Sequence, residues 1–143
     1  MRWLIDSDVL IEGEREDPAF LFWLAQEKGE VATADIVRAE FLLGVHAVAN
    51  TAKRVRAEVF YRDNVQTLAC LPCETPDYEI AARMAGEARR NGKGKPSLVD
   101  GLIAAIALRS GATVATRNVK DFKAMGCPCA DPLEHPPRQP PPA

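Results

Sequence analysis

Apolar residues in this chain form short runs and helical stripes, separated by turn residues. The runs predict strands over 1–5, 31–34, 67–71, 112–115 and 127–130. The stripes and caps predict helices over 19–28, 35–48, 51–64, 75–91, 98–110 and 119–125. Because strands alternate with helices, the pattern predicts an α/β domain with a mainly parallel sheet.

Two carboxylates stand in otherwise apolar surroundings. Asp100 is the only acid between Leu98 and Leu108, and Asp6 directly follows the run Trp3-Leu4-Ile5. An ionised carboxylate in an apolar interior costs roughly several kcal/mol unless something compensates it. We therefore expect a shared cationic partner, for which a metal ion is the obvious candidate.

Two further acids are candidates for the same site, although each has a simpler explanation. Glu40 lies in the middle of an apolar helix and could be solvated, and Asp121 could be an N-terminal helix charge favoured by the dipole. If the four acids converge, their repulsion raises some pKa values unless a cation neutralises them. Clustered carboxylate oxygens select Mg²⁺ or Mn²⁺, ions that activate water and stabilise charge on a phosphate. The pattern predicts phosphodiester or phosphoester chemistry.

Four sequence blocks carry a more specific signal, because they occur in a fixed order. They read Leu4-Ile5-Asp6-Ser7-Asp8-Val9-Leu10, Arg38-Ala39-Glu40-Phe41-Leu42-Leu43-Gly44, Val99-Asp100-Gly101-Leu102-Ile103-Ala104-Ala105 and Thr116-Arg117-Asn118-Val119-Lys120-Asp121-Phe122. Together they resemble the signature blocks of PIN-domain ribonucleases, and among these the VapC-type toxins of toxin–antitoxin pairs. The resemblance covers residues 1–132, and residues 133–143 form a proline-rich tail expected to be disordered.

The resemblance implies a three-layer α/β/α domain that binds Mg²⁺ or Mn²⁺ and cuts RNA, often tRNA or rRNA. It implies that Asp6, Glu40, Asp100 and Asp121 are the catalytic and metal-binding acids. Some relatives place the fourth acid where this chain has Asn118, and Asp8 stands where relatives often carry Asn or Ser. Thr116 and Asn118 are then expected to hydrogen-bond the acids or the metal-bound water. The resemblance also implies a cognate antitoxin across the active-site groove and a homodimer.

RNA binding requires positive charge, but the net charge of −2 gives no sign of a basic surface. The candidates for RNA contact lie near the predicted Asp100 helix; they are Arg89, Arg90, Lys93, Lys95 and Arg117. A solvated helix face is the simpler reading of this charge run. The apolar helix residues Phe20, Phe22 and Trp23 are candidates for an exposed partner surface, although such residues are more often core.

The remaining features narrow the class of protein. The length of 143 residues fits one domain, no apolar run is long enough to span a bilayer, and the acidic N-terminus does not resemble a signal peptide. We therefore expect a cytoplasmic protein. The pairs Cys70/Cys73 and Cys127/Cys129 fit zinc spacing poorly, and a disulfide is not expected in that compartment.

Two alternatives stay open from the residues alone. Asp6-x-Asp8 after a strand also resembles haloacid dehalogenase-type phosphatases, in which Asp6 would be the nucleophile and Asp8 the acid–base. Those enzymes usually carry a Thr where this chain has Leu10. The second alternative is a non-catalytic interaction module with a PIN fold. The presence of all four acids argues against that module, because buried acids without a role are costly.

Overall fold

The strands of this protein are short and lie parallel to one another. The computed structural model describes residues 2–27 and 29–134, and within them it has one five-stranded sheet in the order β3-β2-β1-β4-β5. The strands are β1 (Trp3–Ile5), β2 (Val31–Ala34), β3 (Ala69–Leu71), β4 (Thr113–Ala115) and β5 (Cys129–Ala130). Every pairing is parallel, so the carboxyl ends of all strands lie along the same edge of the sheet.

Helices cover both faces of the sheet. Every residue of β1 and β2 is buried, and successive strand side chains point to opposite faces. The helices are α1 (Ser7–Glu14), α2 (Pro18–Gln26), α3 (Asp35–His46), α4 (Thr51–Phe60), α5 (Thr75–Arg90), α6 (Leu98–Ser110) and α7 (Val119–Ala124). The predicted α/β/α architecture with a parallel sheet is confirmed.

Helix α6 is central to the packing, as its apolar composition predicts. Residues 101–107 are all buried, and α6 packs closely against α5. A Cβ added at Gly101 would lie 2.7 Å from the carbonyl oxygen of Ala81, so only glycine allows this approach of the two helices. The same close contact fixes the helix that carries Asp100.

Several element boundaries differ from the prediction. The sequence pattern missed α1, because two helical turns are too short to show a clear period. The strands predicted over 67–71 and 127–130 are shorter, and α4 continues into a π-helical turn over Tyr61–Val65 instead of running as one α-helix to Asn64. Helix α2 begins as predicted, with Asp17 as N-cap and Pro18 at its first position, but its last residue is Gln26.

The core extends to Leu133, which is buried and belongs to the apolar cluster. The tail predicted to be disordered lies, from residue 135 onward, outside the described residues. In the described ranges no helix has the length and apolar character required to cross a bilayer.

Candidate active site

Asp6 lies at the end of β1 and caps helix α1. Its Oδ1 accepts a hydrogen bond of 2.8 Å from the Ser7 N–H, and its Oδ2 accepts one of 2.8 Å from the Thr116 hydroxyl. Its own N–H donates to the Ala115 carbonyl at the end of β4. Only 4% of Asp6 is exposed. The central strand thus delivers a carboxylate into the interior at the carboxyl edge of the sheet, where open α/β folds bind ligands.

The surroundings of the Asp6 carboxyl disfavour its ionised form. Burial, followed by the negative charges of Asp8 and Asp100, raises its pKa to about 7, despite the hydrogen bonds from Thr116 and Ser7. Within residues 2–27 and 29–134, no lysine, arginine or histidine forms an ion pair with Asp6. A buried carboxylate that the described residues leave without a cation matches a site for an external cation.

Asp8 is the second acid at this edge, and sequence reasoning left its role open. The backbone N–H of Arg117 donates to both of its oxygens at 3.1 and 3.2 Å, and the Thr116 hydroxyl lies 3.4 Å from Oδ2. Burial is the main cause that raises the pKa of Asp8 above its usual value. Asp8 therefore ties the end of β4 to α1 and adds negative charge beside Asp6.

Asp100 lies in the first turn of α6, and the expectation that it is buried like the rest of the helix is wrong. Its Oδ2 accepts from the Ser97 N–H at 3.0 Å, while its own N–H donates to the Ser97 hydroxyl at 3.0 Å. These two bonds form a capping box, so helix capping alone already favours an acid at this position. Asp100 is partly exposed, because only the helix beyond it enters the core.

Glu40 comes from α3 and reaches the same region. It accepts a short hydrogen bond from the Ser7 hydroxyl, which links α3 to the first turn of α1. The residue as a whole is exposed, so the apolar stretch around Glu40 in the sequence does not bury it. Ser7 is a residue that sequence reasoning missed, although its place beside Asp6 is a local signal.

One cleft of about 1250 Å³ joins these residues. The acids Asp6, Asp8, Glu40 and Asp100 line it together with Asn118. From there the cleft follows α1, α3 and α4; its apolar lining includes Ile11, Phe41, Val45, Val48, Val55, Val59 and Phe60. Among the described residues, no three His, Cys, Asp or Glu side chains already stand close enough to form a complete metal site. The four acids therefore line one cleft without forming a preformed cluster.

The family model of the PIN domain matches residues 3–126. The chain belongs to the PIN domain family. It is 30% identical over 123 residues to Ribonuclease VapC1 of Rickettsia felis, covering 86% of this chain and 90% of that protein. The sequence resemblance to VapC-type PIN proteins is thereby confirmed.

Solved structures agree with this membership. The crystal structure of FitAcB from Neisseria gonorrhoeae superposes with a TM-score of 0.80 at 29% identity, covering 93% of this chain and 99% of that one. A toxin–antitoxin complex from Klebsiella pneumoniae gives a TM-score of 0.65 at 25% identity, covering 92% and 98%. The family membership leaves the haloacid dehalogenase alternative without support.

The other predicted acid, Asp121, is not among the residues that line the cleft of this PIN domain. Its Oδ1 accepts from the Lys95 N–H at 2.9 Å and its Oδ2 accepts from the Asn118 side-chain amide at 2.9 Å. Asn118 also donates its N–H to the Thr116 hydroxyl at 2.9 Å. A chain of hydrogen bonds therefore runs from Asp121 through Asn118 and Thr116 to Asp6.

The predicted RNA-contact residues do not line the cleft either. Arg117 is paired with Glu12 and Asp131 at 3.7 and 3.3 Å, and the Arg89 side chain donates to the Pro96 carbonyl at 2.8 Å. Arg90, Lys93 and Lys95 are exposed on the α5–α6 side. The cations that line the cleft are instead Arg15, Lys53 and Arg56, and the last two follow a helical spacing that the charged composition of α4 obscured.

Two minor sequence expectations have clear outcomes. Phe20 and Trp23 are core residues with 0% and 2% exposure, and Phe22 is half-buried. The prediction that these three residues form an exposed apolar surface is therefore wrong. Phe20 packs against Trp23 on the same helix and against Phe60 at the end of α4. The contact with Phe60 anchors α2 to the core. The four cysteines are free thiols, in keeping with the expectation of no disulfide.

Proposed function

We propose that this PIN domain is the metal-dependent endoribonuclease toxin of a type II toxin–antitoxin pair, hydrolysing phosphodiester bonds of tRNA or rRNA. The observation that carries the proposal is the buried Asp6 carboxylate, which faces the cleft with a raised pKa and forms no ion pair within residues 2–27 and 29–134. The identity to Ribonuclease VapC1 supports RNA as the substrate.

In this proposal Asp6, Glu40 and Asp100 hold Mg²⁺ or Mn²⁺. The bound ion would supply a water of lowered pKa and neutralise charge on the scissile phosphate. Thr116 and the Ser7 N–H orient the two oxygens of Asp6, and the Ser7 hydroxyl orients Glu40. Asp121 was predicted as a fourth ligand, but its contacts favour the different role argued in the next subsection.

RNA would enter the cleft along α3. From Glu40 to His46 the helix rises by about 9 Å. The Arg54 side chain donates to the carbonyl of Val48, just beyond the helix, which places the start of α4 at the far end. Lys53 and Arg56 line that part of the cleft and form no ion pair within the described residues. We propose that they bind RNA phosphates beside the scissile one; Arg89, Arg90, Lys93, Lys95 and Arg117 stay predicted contacts of a second, peripheral patch.

A cognate antitoxin is proposed as the regulator, with a homodimer as the assembly. The support is the likeness to a toxin–antitoxin complex over nearly the whole length of both chains. The apolar walls of the cleft, including the exposed Ile11, Val55 and Val59, offer a surface on which an antitoxin segment would pack. An antitoxin on this surface would exclude RNA from the acids.

The decisive experiment is a cleavage assay with purified wild-type chain, free of antitoxin, on total tRNA and structured RNA. We expect discrete cuts with Mg²⁺ or Mn²⁺, none after EDTA, and a loss of at least about 100-fold in rate for Asp100→Asn, in line with removal of a metal ligand. Metal-dependent cuts that persist unchanged in Asp100→Asn and in Asp6→Asn would contradict the assigned site. Metal binding by calorimetry without cleavage of any RNA would favour the non-catalytic module.

The RNA path has its own test. Reversing the cleft charges with Lys53→Glu plus Arg56→Glu should weaken RNA binding. The slope of log K against log salt concentration should fall by an amount that corresponds to about two released counterions. The matched change Arg89→Glu plus Arg90→Glu should have the smaller effect. If the second pair weakens binding more than the first, the RNA follows the α5–α6 side and the cleft path is incorrect.

A further inference from the structure

We infer that Asp121 is a positioning residue: its carboxylate holds the loop that precedes α6 and thereby places the Asp100 end of that helix. The inference rests on the proposed function in one respect, namely that Asp100 serves the reaction. It assigns to Asp121 a role other than that of a metal ligand.

Both oxygens of Asp121 are already used inside the protein. Oδ1 accepts from the backbone N–H of Lys95, and Oδ2 accepts from the amide of Asn118, each at 2.9 Å. The first bond crosses from α7 to the loop between α5 and α6, twenty-six residues away in sequence. A carboxylate that bridges two elements in this way stabilises their relative position.

The loop passes so close to Asp121 that its sequence is restricted. A Cβ added at Gly94 would overlap Asp121 Oδ1 and would lie 3.5 Å from the Cβ of Ala124. A side chain at residue 94 would therefore displace either the Asp121 carboxylate or the loop, and either shift would disturb the contact with Lys95. Glycine at this position permits the close approach of the backbone to the carboxylate as the structure has it.

The loop leads directly to Asp100. After Lys95, the Pro96 carbonyl is held by the Arg89 side chain at 2.8 Å, and Ser97 closes the capping box with Asp100 at 3.0 Å. Successive residues 94 to 97 are thus fixed by contacts to α7, α5 and α6 in turn. Loss of the Asp121 contact would free the start of α6 and with it the direction of the Asp100 carboxylate.

Three substitutions separate this role from that of a metal ligand. Asp121→Asn keeps an oxygen that accepts the Lys95 N–H, and its amide donates to the Asn118 side-chain oxygen once the Asn118 amide turns over. It removes the charge that a metal ligand requires, whereas Asp121→Ala removes both the oxygen and the charge. Gly94→Ala breaks the same contact from the other side and leaves every carboxylate in place. Lys120→Ala, on the exposed face of α7, is the control.

The measurements are hydrogen exchange of the Lys95 amide in the metal-free protein, Mn²⁺ affinity by calorimetry, and RNA cleavage. For Asp121→Ala and Gly94→Ala we expect exchange at Lys95 to accelerate and cleavage to fall by about 10-fold or more, the usual effect of losing a supporting hydrogen bond. Asp121→Asn should recover exchange, cleavage and Mn²⁺ affinity to within about 3-fold of wild type, less than the about 10-fold that a lost ligand or support costs. Lys120→Ala should match wild type.

The inference is overturned if Asp121→Asn weakens Mn²⁺ binding as much as Asp6→Asn does, because the charge would then be required. It is also overturned if Gly94→Ala or Asp121→Ala leaves Lys95 exchange and cleavage unchanged. A wild-type protein that cleaves no RNA would refute the proposed function. In that case, Lys95 exchange together with Mn²⁺ affinity still decides the role of Asp121.

Discussion

Asp6 and Asp77 are both buried aspartates, with 4% and 2% exposure, yet their environments are opposite. Asp77, in the first turn of α5, receives the Arg109 guanidinium at 2.9 and 3.3 Å and the Glu74 N–H at 2.8 Å. Although burial acts to raise its pKa, the hydrogen bonds and charge of Arg109 lower it overall. For Asp6 burial prevails, and its pKa rises to about 7.

The difference separates a carboxylate that serves the fold from one that is available for chemistry. Arg109 also donates to the Pro72 carbonyl and pairs with Glu74, so the Asp77 site is complete within the chain. Asp6 has hydrogen-bond donors that set its orientation, but no cation in the described part of the chain neutralises it. Burial alone therefore does not identify a functional acid; the informative property is burial without a compensating charge.

The largest expected effect on stability comes from removing Arg109, the cation that pairs with the buried Asp77. Arg109→Ala would leave Asp77 buried and unpaired, which should lower the free energy of unfolding by about 3 kcal/mol or more. Denaturant unfolding measures this, with Arg62→Ala as the control, because its exposed pair with Asp63 is worth less than about 1 kcal/mol. Adding Asp77→Asn to Arg109→Ala should recover part of the loss. Equal effects of Arg109→Ala and Arg62→Ala would contradict the comparison.

The second expected effect is a pH dependence that Asp6 imposes on the metal-free protein. Because its folded pKa of about 7 exceeds the ordinary value of 3.8, the folded state binds more protons, and stability falls as pH rises between these values. Asp6→Asn removes this contribution, so its advantage in melting temperature over wild type should grow from pH 4 to pH 8 in EDTA. At pH 8 the difference is at most about 4 kcal/mol.

Metal provides the counter-test for the same variant. At pH 8, Mn²⁺ should raise the melting temperature of the wild type by binding the folded state, and should have little effect on Asp6→Asn. A wild type whose stability rises between pH 4 and pH 7 more steeply than that of Asp6→Asn would contradict the assigned direction of the pKa.

The smallest expected effect comes from removing the hydroxyl of Thr116, which donates a hydrogen bond to Asp6. Thr116→Val removes the hydroxyl that donates to Asp6, so the pKa of Asp6 should rise further and Mn²⁺ affinity should fall by about 10- to 100-fold. Thr33→Val is a matched control, because Thr33 is also fully buried in the sheet but its hydroxyl has no partner among the described residues. Equal Mn²⁺ affinities of the two variants would remove Thr116 from the site.

Local rules account for what the sequence predicted well. The caps Asp17 and Ser97 mark the starts of α2 and α6, and the apolar composition of α6 predicts its burial. The cleft-lining positions of Asp6, Glu40 and Asp100 agree with their predicted site, although their metal-binding roles stay predictions. Helix α1 and the cleft cations Lys53 and Arg56 were missed, because two-turn helices and charged helix faces have no distinctive pattern.

The sequence by itself determined the alternation of strands and helices, the membership in the PIN domain family, and the acids at strand and helix ends. These features depend on periodicity, caps and short motifs, which act over a few residues. Only the tertiary structure decided which acid carries an uncompensated charge. Asp6 and Asp77 differ because Arg109, thirty-two residues from Asp77, packs beside one and not the other. Likewise, the hydrogen bond that Asp121 accepts from the Lys95 backbone N–H depends on the approach of α7 to a distant loop. Both contacts join residues that are neighbours in space and far apart in sequence.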